Sequence, residues 1–157
     1  MRSALDEYLE RLKGKRVAVL GIGVSNRPLI DLLCQAGIAV TACDKRDRDS
    51  FNGLIEKLEA NGVSCHLGPD YLDHLDGMDV IFRTPGLRPD LPQLERAKAA
   101  GAELTSEMEA FFSVCPCRIL AVTGSDGKTT TTTIIAGLLS ASGYRTYVGG
   151  NNGHPLL

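Results

Sequence analysis

The chain has 157 residues, enough for about one domain, or one domain and part of another. Hydrophobic residues make up 43% of it, so it is expected to fold, and a chain of this length buries roughly 70% of its unfolded surface without help from a disulfide or metal. Seventeen basic against 19 acidic residues leave a formal charge of -2, which excludes an electrostatic footprint for nucleic acid or an anionic membrane surface.

Residues 3–12 read as an opening helix, with Ser3 as cap, acids early, basic residues late and Gly14 behind it. From residue 16 short apolar runs alternate with helical patterns, the order of a parallel sheet covered by helices. Strands are expected at 16–20, 38–43, 63–67, 79–83, 103–105 and 118–123. Helices are expected at 27–35, 52–60, 91–100 and 106–114, with Gly37, Gly62 and Gly101 as left-handed caps. No apolar run approaches the ~20 residues of a bilayer helix and no signal peptide precedes Arg2 and Asp6, so a cytoplasmic chain with no membrane partner is expected.

Five cysteines are present. Cys34, Cys43 and Cys65 fall in apolar stretches, as reduced thiols acting as small hydrophobes do. Cys115-Pro116-Cys117 has no second Cys or His pair at zinc-site spacing, so it reads as a linker. His66, His74 and His154 likewise have no spaced partners and read as solvated surface.

The first expected strand runs into Gly21-Ile22-Gly23-Val24-Ser25-Asn26, with Pro28 in the first turn of the next helix. Gly21 permits a tight turn, Gly23 permits backbone to approach a phosphate, and the helix start offers free N–H groups. Asn26 occupies the third glycine position of a dinucleotide fingerprint, which is therefore incomplete. Asp44 closes the second strand about 20 residues on, where an NAD-binding fold carries its ribose-binding acid. An NAD(P)-linked oxidoreductase domain and a non-catalytic nucleotide-sensing module therefore stand as alternatives to nucleotide-sugar binding.

The run at 118–123 leads into Thr123-Gly124-Ser125-Asp126-Gly127-Lys128-Thr129-Thr130. Two glycines let backbone N–H groups curl around phosphate oxygens, Lys128 supplies a point charge, and the Thr129 hydroxyl can ligate Mg2+. Strict Walker A spacing needs glycine where Val122 stands. Threonines from 129 to 133 cost about 3 kcal/mol of intrinsic helix stability, which packing of Ile134, Ile135, Leu138 and Leu139 must offset.

Together these motifs resemble the Mur ligases of peptidoglycan synthesis, whose ATP loop departs from Walker A in the same way. Gly21 to Ser25, Asp44-Lys45-Arg46, Thr84-Pro85-Gly86 and Gly149 to Gly153 are most similar to the D-glutamate-adding members. Asn26, Asp126 and Asn152 depart from the family pattern. The resemblance implies α/β architecture: a Rossmann-like parallel sheet domain followed by the truncated start of a P-loop ATP-binding domain. It implies a UDP-substrate domain at 1–114, a linker at 115–117 and the opening of an ATP-binding domain at 118–157. It implies that Val24, Ser25, Asp44, Lys45, Arg46, Gly86 and Asn151 bind UDP-N-acetylmuramoyl-L-alanine. It further implies that Gly127, Lys128, Thr129 and Thr130 hold ATP and Mg2+, Lys128 being catalytic and Thr129 the Mg2+ ligand.

The implied reaction of the full-length enzyme passes through an acyl phosphate that the amine of D-glutamate attacks, a step of cell wall biogenesis on which cell shape and division depend. The 157-residue piece is expected to be inert alone and to self-associate through its incomplete second unit.

Overall fold

The computed structural model describes residues 2–150. Helix α1 (Ala4–Leu12) opens the chain. The Ser3 hydroxyl accepts from the Asp6 N–H at 3.1 Å while the Ser3 N–H donates to the Asp6 carboxylate at 2.9 Å, a reciprocal pair that satisfies two donors a helix start otherwise leaves open. Five strands follow: β1 (Val17–Leu20), β2 (Val40–Asp44), β3 (Ser64–Leu67), β4 (Val80–Arg83) and β5 (Glu103–Thr105). All pair in parallel in the order β3-β2-β1-β4-β5, the order of a doubly wound sheet with strands on both sides of β1. Strands buried on both faces are uniformly apolar, as β1 is.

Helix α2 (Asn26–Gln35) joins β1 to β2, and α3 (Leu54–Ala60) joins β2 to β3 after a 3-10 turn at Arg48–Phe51. Helix α4 (Pro92–Ala99) joins β4 to β5, and α5 (Glu107–Val114), capped by Ser106, follows β5. Gly37, Gly62 and Gly101 hold positive φ as the helix stops require. Val17, Val19, Val40 and Val80 pack against Leu12, Leu29, Leu33, Ile55 and Ala110 on one face of the sheet. Ala18, Leu20, Cys43 and Ile81 meet Leu72, Leu75, Leu94 and Ala97 on the other. The result is a Rossmann-like three-layer unit with a core on each side of one sheet.

The order reverses at β1: its first crossover leads to β2 on one side, and β4 occupies the other. In open parallel sheets such a reversal leaves a crevice beyond the carboxyl ends of the strands. The step from β3 to β4 carries no helix; residues 68–79 cross as a loop anchored by buried Leu72 and Leu75.

One expectation fails. Residues 118–123 form no strand, and the described residues contain no P-loop domain. A strand exists only through hydrogen bonds to a neighbour, and the segment reaches neither open sheet edge, β3 nor β5. Among the described residues of that unit a loop leads into α6 (Lys128–Ala141), which buries no residue. Ile134 and Leu138 are 56% and 65% exposed and Ile135 and Leu139 are only half-buried, so little of the packing expected to offset the threonine run is present among the described residues. Among the described residues no helix is long and apolar enough to cross a membrane.

Candidate functional site

The end of β1 turns sharply at Gly21, whose φ of +91° disfavours any side chain and whose approach to Thr84 is close: a Cβ there would lie 3.3 Å from the Thr84 methyl. The turn aims the start of α2 into the crevice between β1 and β4. Ser25 precedes that helix without making a side-chain cap, so its hydroxyl and the N–H groups of Val24 to Asn26 remain available to an anion, while the Arg27 N–H is already donated to the Gly23 carbonyl at 3.2 Å. A Cβ on Gly23 would meet nothing within 4 Å, so backbone there is open to close approach.

Asn26 is the plug of this turn. It is buried, and its side-chain amide donates to the carbonyls of Leu20 at 3.1 Å and Gly21 at 2.9 Å. This explains the incomplete fingerprint: a third glycine would leave both carbonyls without this donor. Asn26→Ala is expected to lower stability by about 2 kcal/mol, the cost of buried acceptors left unpaired. Urea unfolding would measure it; a change below about 0.5 kcal/mol would show that water replaces the amide.

Asp44, at the end of β2, is buried. Its Oδ2 accepts from the Ile22 N–H at 2.7 Å and from Arg46 Nη2 at 2.8 Å. Its Oδ1 accepts from the Arg46 backbone N–H at 3.0 Å and from Nε at 2.9 Å. Burial pushes the Asp44 carboxyl up, but the hydrogen bonds from Arg46 and Ile22 outweigh it and hold the group below the usual carboxylate range. Arg46 also donates to the Ile22 carbonyl at 3.2 Å and lies over the Phe51 ring, 4.3 Å from its centroid. Hydrogen bonding to Asp44 pushes the guanidinium pKa up. A carboxylate has about four lone-pair sites, and four donors fill them. Asp44 therefore acts by fixing Ile22 and Arg46.

These groups surround a cavity of about 450 Å³ whose wall includes Val24, Ser25, Asp44, Lys45, Arg46 and Gly86. Six of the seven residues expected at a UDP site thus share one crevice; Asn151, with Asn152 and His154, lies outside the described residues. The sequence reading missed Asn26 as a structural group, and it missed Tyr71 and Leu87, which complete the wall with Gly21, Gly23 and Thr84. Tyr71 belongs to the helix-free crossover and stands in no motif, so no local signal marked it.

The second glycine loop contributes nothing to this wall. Gly127 takes φ +74° at the head of α6, without a side-chain cap. The Lys128 ammonium donates to the carbonyls of Gly124 at 2.5 Å and Ser125 at 3.1 Å, curling the loop beneath its own lysine. Thr129 and Thr130 are exposed at the same helix start. Uncapped N–H groups, a lysine and free hydroxyls at one helix end are the donor set a polyphosphate and its cation need.

His74 is exposed as expected but stacks on the half-buried His66, ring centroids 3.8 Å apart, and burial followed by the His74 charge pushes the His66 pKa down. Sequence spacing could not show this, because it depends on how the 68–79 loop folds back against β3. All five cysteines are unbridged, and no group of three metal-ligating side chains occurs among the described residues.

The fold and crevice define a Rossmann-like α/β domain with its cavity at the point where strand order reverses. The chain belongs to the Mur ligase MurD-like, N-terminal domain family, which it matches over residues 15–106. It is 54% identical over 157 residues to the UDP-N-acetylmuramoylalanine–D-glutamate ligase of Ruminiclostridium cellulolyticum. It is 53% identical over 156 residues to the corresponding ligase of Clostridium botulinum strain Loch Maree. The matches cover 100% and 99% of this chain but 34% of each relative, so the chain spans about a third of their length. A crystal structure of a murein peptide ligase from Psychrobacter arcticus superposes with a TM-score of 0.54 at 28% identity, over 83% of this chain and 27% of that one.

Proposed function

We propose that residues 1–114 form the UDP-substrate domain of an ATP-dependent ligase that joins D-glutamate to UDP-N-acetylmuramoyl-L-alanine. On this reading residues 115–117 are a linker, residues 118–157 begin the ATP-binding domain, and the protein works in the cytoplasm in peptidoglycan precursor synthesis. The observation that carries the reading is the gathering of Val24, Ser25, Lys45, Arg46 and Gly86 around one crevice at the head of α2. An anionic diphosphate would take the free N–H groups of Val24 to Asn26 and the Ser25 hydroxyl. Gly86 would border the pyrophosphate and sugar, and Lys45 and Arg46 the nucleoside end. Asp44, saturated by its four donors, would serve by holding Arg46 and the turn.

That saturation weighs against the NAD reading, because a dinucleotide site needs its acid free to accept from ribose hydroxyls. Calorimetric titration with UDP and with NADH separates the two. UDP is expected to bind and NADH to bind more weakly or not at all; tighter NADH binding would sink the ligase assignment.

The Lys128 loop fits ATP: Gly127, Lys128, Thr129 and Thr130 would hold its phosphates and Thr129 its Mg2+. ATP would supply the phosphoryl group that activates the substrate carboxylate, and phosphate would leave as the D-glutamate amine forms the amide bond. Lys128 would then exchange its bonds to Gly124 and Ser125 for phosphate oxygens, placing positive charge where negative charge gathers.

A further inference from the structure

We infer that Tyr71 is the base-reading residue of the crevice, packing its ring against the pyrimidine of a bound nucleoside diphosphate and donating its hydroxyl to an oxygen of the base or ribose. The inference rests on the nucleotide reading proposed above and adds to it the residue that selects the base.

The position follows from how the 68–79 loop is held. Its first residue, Gly68, donates its N–H to the carbonyls of Asp44 at 3.0 Å and Arg46 at 3.2 Å, tying the loop to the end of β2. Leu72 and Leu75 anchor it in the core beneath the sheet, and His74 stacks on His66 of β3. Tyr71 lies between these anchors, on a stretch of loop tied to the fold on both sides. It is half-buried, packs against the same core cluster as Leu72 and Leu75, and lines the cavity with Asp44 and Arg46.

The crevice has two chemically distinct ends. At one, Val24 to Asn26 present backbone N–H groups at a helix start, where phosphate binds. At the other, the end of β2 and the Tyr71 loop offer an aromatic ring and a guanidinium already stacked on Phe51. A nucleotide whose phosphates occupy the first end extends its ribose and base toward the end of the second strand, and so toward Tyr71. The phenol hydroxyl makes no hydrogen bond among the described residues. Burial, and after it the negative charge of Asp44, push the Tyr71 pKa up, so the hydroxyl keeps its proton and can donate. A flat π face with one donor suits a planar base edged by carbonyl oxygens, and removing such a stacking ring weakens binding roughly tenfold or more.

The test is calorimetry on the full chain with UDP, ADP and inorganic pyrophosphate, for the unmutated protein, Tyr71→Phe and Tyr71→Ala, each also in a Lys128→Ala background so that binding at the second glycine loop is separated from binding in the crevice. Tyr71→Ala is expected to weaken UDP about tenfold or more, to shrink the preference for UDP over ADP, and to leave pyrophosphate unchanged. Tyr71→Phe is expected to keep most of the affinity and lose part of the preference. Equal loss of UDP and pyrophosphate in Tyr71→Ala would make Tyr71 a wall of the fold and overturn its role in base reading. Unchanged UDP affinity in both variants would overturn that role while leaving the nucleotide reading intact. Absence of UDP binding by the unmutated chain would overturn the nucleotide reading itself and this assignment with it.

Discussion

Lys128→Ala in the full-length protein is expected to cut ligase turnover at least a hundredfold, the usual loss when one electrostatic donor to a developing charge is removed, while affinity for the UDP substrate stays within about twofold. Arg46→Ala is expected to do the reverse, weakening the UDP substrate by about 1 to 3 kcal/mol and sparing ATP. The grounds are spatial. The crevice wall is built from β1, β2, β4 and the 68–79 loop and includes nothing beyond Leu87, whereas Lys128 sits at the head of α6, which buries none of its residues. Turnover, ATP affinity and UDP-substrate affinity measured on both variants give the answer. Equal loss of both affinities from either change, with the fold intact by circular dichroism, would mean that the two loops form one site and that the boundary at 115–117 is misplaced.

Asp44→Ala is expected to lower the unfolding free energy by about 3 kcal/mol, near the low end for breaking a buried ion pair. Arg46 is 42% exposed at its side chain, so water can solvate the freed guanidinium. The Ile22 N–H, in a fully buried residue, loses its acceptor outright. The same carboxylate sets an acid limit. Its folded pKa lies below the ordinary value of 3.8, so its contribution is complete above about pH 4 to 5 and is lost as the pH falls through the folded value. Urea midpoints for the unmutated chain and Asp44→Ala should therefore draw together as the pH falls below the ordinary value of 3.8. A gap that stayed constant from pH 7 to pH 2 would show that the loss comes from packing and not from charge.

Every strand and helix of the first 114 residues was legible in the sequence to within a few residues, because apolar runs of strand length alternate there with capped helical patterns. The glycine turn was legible from Gly21 and Gly23, and its neighbour Asp44 from spacing. The strand expected at 118–123 was not there to find: apolar composition gives a segment the capacity to pair, and pairing needs a partner that composition does not report. Asn26 was read as a defect in a motif because a fingerprint records where glycine is missing and not which carbonyls a side chain satisfies. Tyr71 and the His66–His74 stack were invisible for a different reason. Both depend on a crossover that uses a loop where the neighbouring units use helices, and no periodicity foretells how such a loop folds back.

The Arg46 guanidinium touches three parts of the chain at once: the turn after β1 through Ile22, the end of β2 through Asp44, and the 3-10 turn through Phe51. Its rotamer is therefore settled before any guest arrives. Immobilising a long side chain on association ordinarily costs about 0.5 to 1.5 kcal/mol, and here folding has already met that cost. Encounter with this end of the crevice should accordingly proceed in one kinetic phase, without a slow rearrangement after contact, leaving Lys45 on the exposed rim as the long side chain still to be ordered.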